Sequence, residues 1–161
     1  MANTQSMCTS FLGEVLTATH NFGTAPIRAA TTADTFKAAL YFASATVNAS
    51  TTAYSVTGEV TNSSGSGYTA GGTTVTNGTA PTATNSSSTA GTAYWTPTAS
   101  FSWSALTVTT AFDAVLIYNS SQSNKAVSVH TFGSQTITSG TFTLTMPSNT
   151  TSTALLRLAT T

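Results

Sequence analysis

The chain has 161 residues and no formal net charge, and only 8 of its residues are Asp, Glu, Lys or Arg. Most of its polar side chains are hydroxyls, since the sequence contains 38 Thr and 22 Ser. A neutral chain with four cationic residues lacks the electrostatic footprint of a nucleic-acid-binding protein, and no apolar run is long enough to span a bilayer as a helix. We therefore expect neither nucleic acid nor membrane as a partner.

An apolar stripe predicts one short helix at the N-terminus, over about residues 5–19. Thr4 or Ser6 can cap its start, and the segment 20–23 can end it. The stripe is a candidate interface with another protein, and the alternative is that it covers one open end of the chain's own fold. Its members recur at spacings of three and four residues: Cys8, Phe11, Leu12, Val15 and Leu16.

From residue 36 onward the pattern changes to the two-residue alternation of β-strands. The segment 36–42 predicts a half-buried strand, 112–118 predicts a strand covered on both faces, and 125–132 predicts a strand with His130 on its outer face. The segment 119–124 and the pair Ser139-Gly140 predict turns. Further short strands are predicted at 54–60, 73–79, 93–96, 101–103, 106–109, 135–138, 141–146 and 153–158.

About eight to ten short strands, with no helix between them, predict an all-β fold. We expect an antiparallel β-sandwich or jelly roll that forms a single domain over residues 1–161, with 61–72 and 80–92 as loops. Strict alternation in the segment 141–146 predicts that Phe142, Leu144 and Met146 face the core and that the intervening threonines face solvent.

Few side chains are available for chemistry. The acids are Glu14, Asp34, Glu59 and Asp113, and the histidines are His20 and His130. No two acids stand in a pattern that predicts a carboxylate pair, and no Gly-x-Ser-x-Gly segment supports a serine nucleophile. We expect no enzymatic activity, no cofactor and no metal site. We also expect His130 to lie on the surface, and His20 to lie exposed or against the helix C-terminus.

Asp34 and Asp113 are the acids most in need of a partner, because one precedes a strong strand and the other lies inside the most apolar one. The cations available to them are Arg28, Lys37, Lys125 and Arg157. An ion pair within the chain is one hypothesis, and a pair between subunits is the other. On the second hypothesis Arg28 and Asp34 join the candidate interface.

Trp95 and Trp103 allow two interpretations. A tryptophan among alternating aromatic residues is typical of a core, whereas an exposed one can stack on a sugar. We keep the pair as an alternative glycan-binding platform.

The order of several segments resembles the jelly-roll capsid decoration, or cement, proteins of tailed bacteriophages. The resemblance rests on the N-terminal Met-Ala-Asn-Thr-Gln and on several later segments along nearly the whole chain. Those segments are His20-Asn21-Phe22, the stretch Asp34 to Tyr41, Thr51 to Tyr54, Gly58-Glu59-Val60, Gly67-Tyr68-Thr69-Ala70-Gly71-Gly72 and Ala114 to Lys125.

The resemblance implies a structural virion protein, made in the host cytoplasm, that binds the outer surface of the phage head. It also implies a homotrimer whose partner is the major capsid protein. The alternative function is a tail, fibre or baseplate module that contacts host surface glycans through Trp95, Trp103 or the loops 61–72 and 80–92.

Overall fold

The computed structural model describes residues 2–16, 18–23, 33–61, 67–83 and 91–159. Within these ranges two antiparallel sheets and one helix enclose a common core, which confirms the predicted all-β sandwich with a short N-terminal helix. The elements are β1 (Ser6–Met7), α1 (Thr9–Leu16), β2 (Phe36–Phe42), β3 (Thr73–Thr74), β4 (Thr82–Ala83), β5 (Thr92–Trp95), β6 (Phe101–Asn119), β7 (Lys125–Leu144) and β8 (Leu156–Ala159).

A long hairpin of β6 and β7 forms the centre of the larger sheet, whose strand order is β1-β7-β6-β2-β3. The two strands pair from Phe101↔Leu144 to Asn119↔Lys125. The prediction that this region holds several short strands, with a turn at Ser139-Gly140, was wrong. The register shifts at several points along the ladder, which indicates β-bulges. At these points the strands bend and continue, whereas the sequence pattern predicted that they end.

The predicted turn at 119–124 is confirmed, since it joins the end of β6 to the start of β7. Ser123 and Asn124 adopt the left-handed conformation there, with φ of 52° and 58°. Asn tolerates this conformation better than most residues, because its short polar side chain can hydrogen-bond locally.

Strand β2 is buried on both faces, where the alternation predicted a half-buried strand. The residues from Ala38 to Tyr41 are at most 1% exposed. In the sheet β2 lies between β6 and β3, and Val60 and Tyr68 hydrogen-bond to the backbone of Leu40. The strand predicted at 54–60 is reduced to one isolated bridge, Tyr41↔Glu59.

The smaller sheet has the order β4-β5-β8 and closes the core through Trp95 and Leu156, both buried. The ring of Phe22 lies between the sheets, with its centroid 4.3 Å from that of Phe36 and 4.8 Å from that of Trp95. The strands predicted at 73–79 and 153–158 are present but shifted or shortened.

Helix α1 is shorter than predicted, because the residues before it are extended. Ser6 and Met7 pair with Val129 and Ser128 of β7, so neither Thr4 nor Ser6 caps the helix. The helix ends at Leu16, and Ala18 takes a φ of 53° soon afterwards. Backbone pairing with β7 therefore outweighs the helical pattern at the N-terminal end.

The predicted register of the C-terminal part of β7 is confirmed. Phe142 and Leu144 are half-buried against the core, as is Met146 beyond the strand, while Thr141, Thr143 and Thr145 are exposed. The Phe142 ring packs on three other aromatic rings, those of Trp103, Phe112 and Phe132, at centroid distances of 5.9, 5.2 and 5.0 Å.

Replacement of Phe142 by Ala should lower the free energy of unfolding by about 3 kcal/mol, because it leaves a cavity among these rings. The exposed neighbour provides the control: Thr143→Ala should change stability by no more than about 0.5 kcal/mol. Chemical denaturation of both variants measures the difference. A larger loss for Thr143→Ala than for Phe142→Ala would mean that the register is inverted.

Candidate functional site

A chain of polar side chains joins α1 to the turn of the β6–β7 hairpin. Lys125 Nζ lies 2.6 Å from Glu14 Oε1, and His20 Nε2 lies 2.7 Å from Glu14 Oε2. The Asn119 amide group donates to Asp34 Oδ2 over 2.9 Å and lies 3.2 Å from His20 Nδ1. An amide NH₂ only donates, so Nδ1 accepts and Nε2 carries the proton that His20 donates to Glu14.

This arrangement keeps His20 neutral. Its side chain is fully buried, where the sequence predicted exposure or a helix-end position. Burial lowers the pKa of His20, although Glu14 opposes the shift. Burial would raise the pKa of Glu14, but the hydrogen bonds from Lys125 and His20 outweigh it and hold that pKa below its usual value. The chain of side chains thus holds elements together and leaves no general base free.

The two acids singled out from the sequence are held by hydrogen bonds. Asp34 accepts from the backbone N–H of Asn21 over 2.8 Å and from the side chains of Asn119 and Gln122. Asp113 accepts from Asn3 Nδ2 over 2.6 Å. Among the described residues Asp113 has no ion pair, and Arg28, one of the candidate cations, lies outside them.

Glu59, which the sequence did not single out, is 1% exposed and sits in a cage of donors. The hydroxyls of Tyr54 and Tyr68 each donate to its carboxylate over 2.7 Å, and the backbone N–H of Gly71 donates over 2.6 Å. Burial and the adjacent carboxylate raise the pKa of Tyr68, so its proton stays in place as a donor. Three hydrogen bonds offset the cost of burying the carboxylate.

Two glycines build this cage. Gly71 and Gly72 have φ of 87° and 72°, a conformation that other residues adopt at a cost. A Cβ at Gly72 would lie 1.9 Å from the carbonyl oxygen of Ala38, so no side chain fits beside β2. The segments 58–60 and 67–72, which carry part of the resemblance, therefore meet around one buried carboxylate.

Replacement of Tyr68 by Phe should lower the free energy of unfolding by about 2–4 kcal/mol. It removes a donor to Glu59 and also leaves the N–H of Leu40, which donates to the Tyr68 hydroxyl over 3.0 Å, without that acceptor. Tyr54→Phe is the matched control, because it removes one donor at a half-buried position and should cost about 1 kcal/mol. Equal effects in urea denaturation would contradict the assignment of the cage.

His130 is half-buried, where an outward-facing surface position was predicted. Its Nε2 lies 2.9 Å from Ser128 Oγ, and Ser128 itself is 1% exposed. Burial lowers the pKa of His130 from its ordinary value of 6.5 to about 4. Both described histidines are therefore neutral at neutral pH.

Stability should fall as the pH is lowered from about 6.5 towards 4. The pKa of each histidine is lower in the folded state, so the unfolded state takes up protons first and gains stability as the pH falls. Replacement of His130 by Gln should flatten this part of the profile of unfolding free energy against pH. A profile with the same slope in wild type and His130→Gln would show that His130 is not buried neutral.

The described part of the N-terminal apolar stripe faces the chain's own core. Phe11 is 2% exposed, and its ring centroid lies 5.0 Å from that of His20 and 5.9 Å from that of Phe22. Val15 is half-buried against the same cluster. The side chains of Leu12 and Leu16, and all of Arg28, lie outside the described residues. These contacts favour the interpretation that α1 covers one end of the sandwich.

Trp95 and Trp103 are core residues, 2% and 6% exposed. Trp95 Nε1 donates to Asn77 Oδ1 over 2.9 Å, and Trp103 stacks on Phe142. Neither ring presents a free face to a sugar, so the glycan-platform interpretation of these two residues is wrong for this structure. The same hypothesis covered the loops 61–72 and 80–92, of which residues 62–66 and 84–90 lie outside the described residues.

Two adjoining clefts lie between β1 and β8. No sequence pattern predicts them, because they depend on which strands lie at the sheet edges. One, of about 160 Å³, is apolar and reaches Phe11, Phe22 and Trp95. The other, of about 270 Å³, includes His130 and Arg157. Met7 and Leu156 line both.

The described residues contain no cluster of three His, Cys, Asp or Glu side chains that could hold a metal ion. The helix found in the described residues falls short of the length needed to cross a membrane. A scan against models of known protein families, a search of curated proteins and a search of solved structures each return no match.

Proposed function

We propose that this chain is a structural virion protein that binds the outer surface of a bacteriophage head and stabilises contacts between major capsid proteins. The proposal starts from the resemblance described above. The structural observation that carries it is that the acidic side chains are held by partners within the chain, which leaves a hydroxyl-rich surface with few charges, suited to association with other proteins.

All four acidic side chains are engaged within the chain. Glu14 pairs with Lys125 and His20, and Glu59 lies inside its cage of donors. Asp34 and Asp113 accept hydrogen bonds from asparagine side chains. The cores of protein interfaces are depleted of charged residues. A surface whose acidic side chains are held within the chain therefore costs little free energy to desolvate when another protein binds.

The distal half of the β6–β7 hairpin presents this surface most clearly. The β2 ladder reaches only Phe112 of β6, and β1 pairs only with residues 128–129 of β7. Beyond these points the hairpin has no charged residue, and Ser102 Oγ lies 3.1 Å from Thr143 Oγ1 across the strands. Its exposed hydroxyl residues are Ser102, Ser104, Thr109, Thr110, Ser134, Thr136, Thr138, Ser139, Thr141 and Thr143.

A homotrimer follows from the same resemblance and suits the open sheet edges. Strands β1 and β3 lie at the edges of the larger sheet and β4 and β8 at the edges of the smaller one. In many assemblies a neighbouring subunit covers unpaired edges of this kind. Head-to-tail contacts close into a ring under cyclic symmetry. Each trimer would contact the head at several sites at once, so weak individual contacts would together give strong binding through avidity.

The purified protein should sediment as a trimer and should pellet with undecorated heads. Both associations should be nearly unchanged between about 0.01 M and about 1 M salt, because few charges are present to be screened. Sedimentation velocity and co-pelleting measure them. A monomer that fails to pellet with heads at either salt concentration would overturn the proposal.

A charge introduced on the hydroxyl face tests which surface is used. Thr143→Glu places a carboxylate on the exposed face of the distal hairpin and should weaken trimer formation or head binding about tenfold or more, the cost of desolvating an unpaired charge. Thr57→Glu is the matched control, because Thr57 is an exposed threonine that is not part of the distal hairpin. Equal binding by both variants would exclude the distal hairpin as the interface.

A further inference from the structure

Asn77 lies on the segment that connects the two sheets, between β3 of the larger sheet and β4 of the smaller one. Its half-buried side chain makes two hydrogen bonds. The Nδ2 group donates to the carbonyl oxygen of Phe22 over 2.5 Å, and Oδ1 accepts from Trp95 Nε1 over 2.9 Å. One carboxamide therefore ties two aromatic residues to the connection between the sheets.

These two hydrogen bonds require an amide, and not an acid, at position 77. An indole N–H only donates and a backbone carbonyl only accepts, so the carboxamide oxygen faces Trp95 and its nitrogen faces Phe22. A carboxylate would still accept from Trp95, but its second oxygen would face the Phe22 carbonyl as one acceptor against another. Conversion of Asn77 to aspartate would therefore break the contact with Phe22, whose ring packs on those of Phe36 and Trp95.

The sequence contains a single Asn-Gly pair, which is Asn77-Gly78. Asparagine deamidates fastest before glycine, because no side chain hinders the approach of the glycine nitrogen to the preceding carboxamide. Packing favours glycine at this position. A Cβ at residue 78 would lie 2.7 Å from Thr98 Oγ1, a distance at which one of the two groups would have to shift. The fold thus retains a reactive pair of residues where the two sheets are joined.

Thr98 also restrains the nitrogen that would react. The backbone N–H of Gly78 donates to Thr98 Oγ1 over 2.7 Å, and the Thr98 hydroxyl donates to the carbonyl oxygen of Thr76 over 3.0 Å. The backbone N–H of Thr98 donates to the same carbonyl oxygen. These bonds, and those of the Asn77 carboxamide, must open before the Gly78 nitrogen can reach Cγ of Asn77. The reaction therefore requires a local opening of the segment.

We propose that Asn77 is a latent deamidation site, and that its conversion to aspartate or isoaspartate irreversibly releases Phe22 from the connection between the sheets. In the opened segment the Gly78 nitrogen loses its proton to water, attacks Cγ of Asn77 and forms a new N–C bond. The bond from Cγ to Nδ2 breaks, and the amide nitrogen takes up a proton from water and leaves as ammonia. Water then opens the cyclic imide at one of its two carbonyls, which leaves a carboxylate in place of the carboxamide. The inference is independent of the proposed function.

Incubation of the whole protein at mildly alkaline pH, followed by proteolysis and mass spectrometry, measures the rate at Asn77. The folded protein should react at least about tenfold more slowly than the same protein unfolded in urea, because only the opened segment reacts. Equal rates at Asn77 in folded and unfolded protein would overturn the proposal.

Thr98→Val keeps the size of the side chain and removes the hydroxyl group. It should speed deamidation at Asn77 about fivefold, the increase in opening expected from the loss of one ordinary hydrogen bond. Thr74→Val is the matched control, because Thr74 is an exposed threonine on β3, and it should leave the rate unchanged. Equal rates in wild type and Thr98→Val, or no product at Asn77 in Thr98→Val, would contradict the assignment.

Asn77→Asp tests the consequence without the reaction. It should shift the indole N–H signal of Trp95 in nuclear magnetic resonance spectra and raise the ratio of unfolded to folded protein about tenfold, because a carbonyl is left facing an acceptor. Asn124→Asp makes the same change at an exposed turn position and should alter neither quantity. An unchanged Trp95 signal with unchanged unfolding in Asn77→Asp would show that Asn77 does not hold Phe22. The measurements on Thr98→Val do not depend on whether Asn77→Asp folds.

Discussion

The long hairpin of β6 and β7 is the element on which the other parts of the structure depend. Strand β2 pairs with one side of it and β1 with the other, and α1 contacts β7. At its turn, Asn119 and Lys125 hold His20 and Glu14 through hydrogen bonds and an ion pair. The proximal half therefore organises the sandwich, while the distal half extends beyond its sheet partners and presents hydroxyl groups.

The scarcity of charge fits both a stable fold and the association with other proteins that we propose. Burial of an acid is costly unless donors surround it, and the chain meets that requirement mainly with uncharged groups. Glu59 is held by two tyrosine hydroxyls and a backbone N–H, and Asp34 by amides. Threonine favours strands, and its hydroxyl group hydrates the outer face without adding charge. Removing water from such a face therefore costs less free energy than removing it from a charged one.

Much of the fold follows from local patterns in the sequence. Alternation at 141–146 predicts the register of Phe142, and the polar run at 119–124 predicts the turn, because both depend on residues close in the chain. The continuity of β6 and β7 could not be predicted from local patterns, because the sequence alternation breaks at each β-bulge as it would at the end of a strand. The extended conformation at Ser6 depends on pairing with Val129, more than a hundred residues away.

The candidate sites were less accessible to prediction for the same reason. The cage around Glu59 forms from segments that are separate in sequence. Its one visible sequence signal is the pair of positive-φ glycines in the Gly-Tyr-Thr-Ala-Gly-Gly segment. Periodicity placed His130 on an outer face, but the approach of β8 to β1 encloses it. The two clefts between β1 and β8 depend on strands that are distant in the sequence, so no local pattern predicts them.

Electron microscopy of purified heads incubated with gold-labelled protein tests whether this chain decorates capsids. We expect label on the outer surface of the head, at positions where three copies surround a common axis. Label confined to tails or fibres, or particles that remain bare while the protein stays in solution, would contradict it.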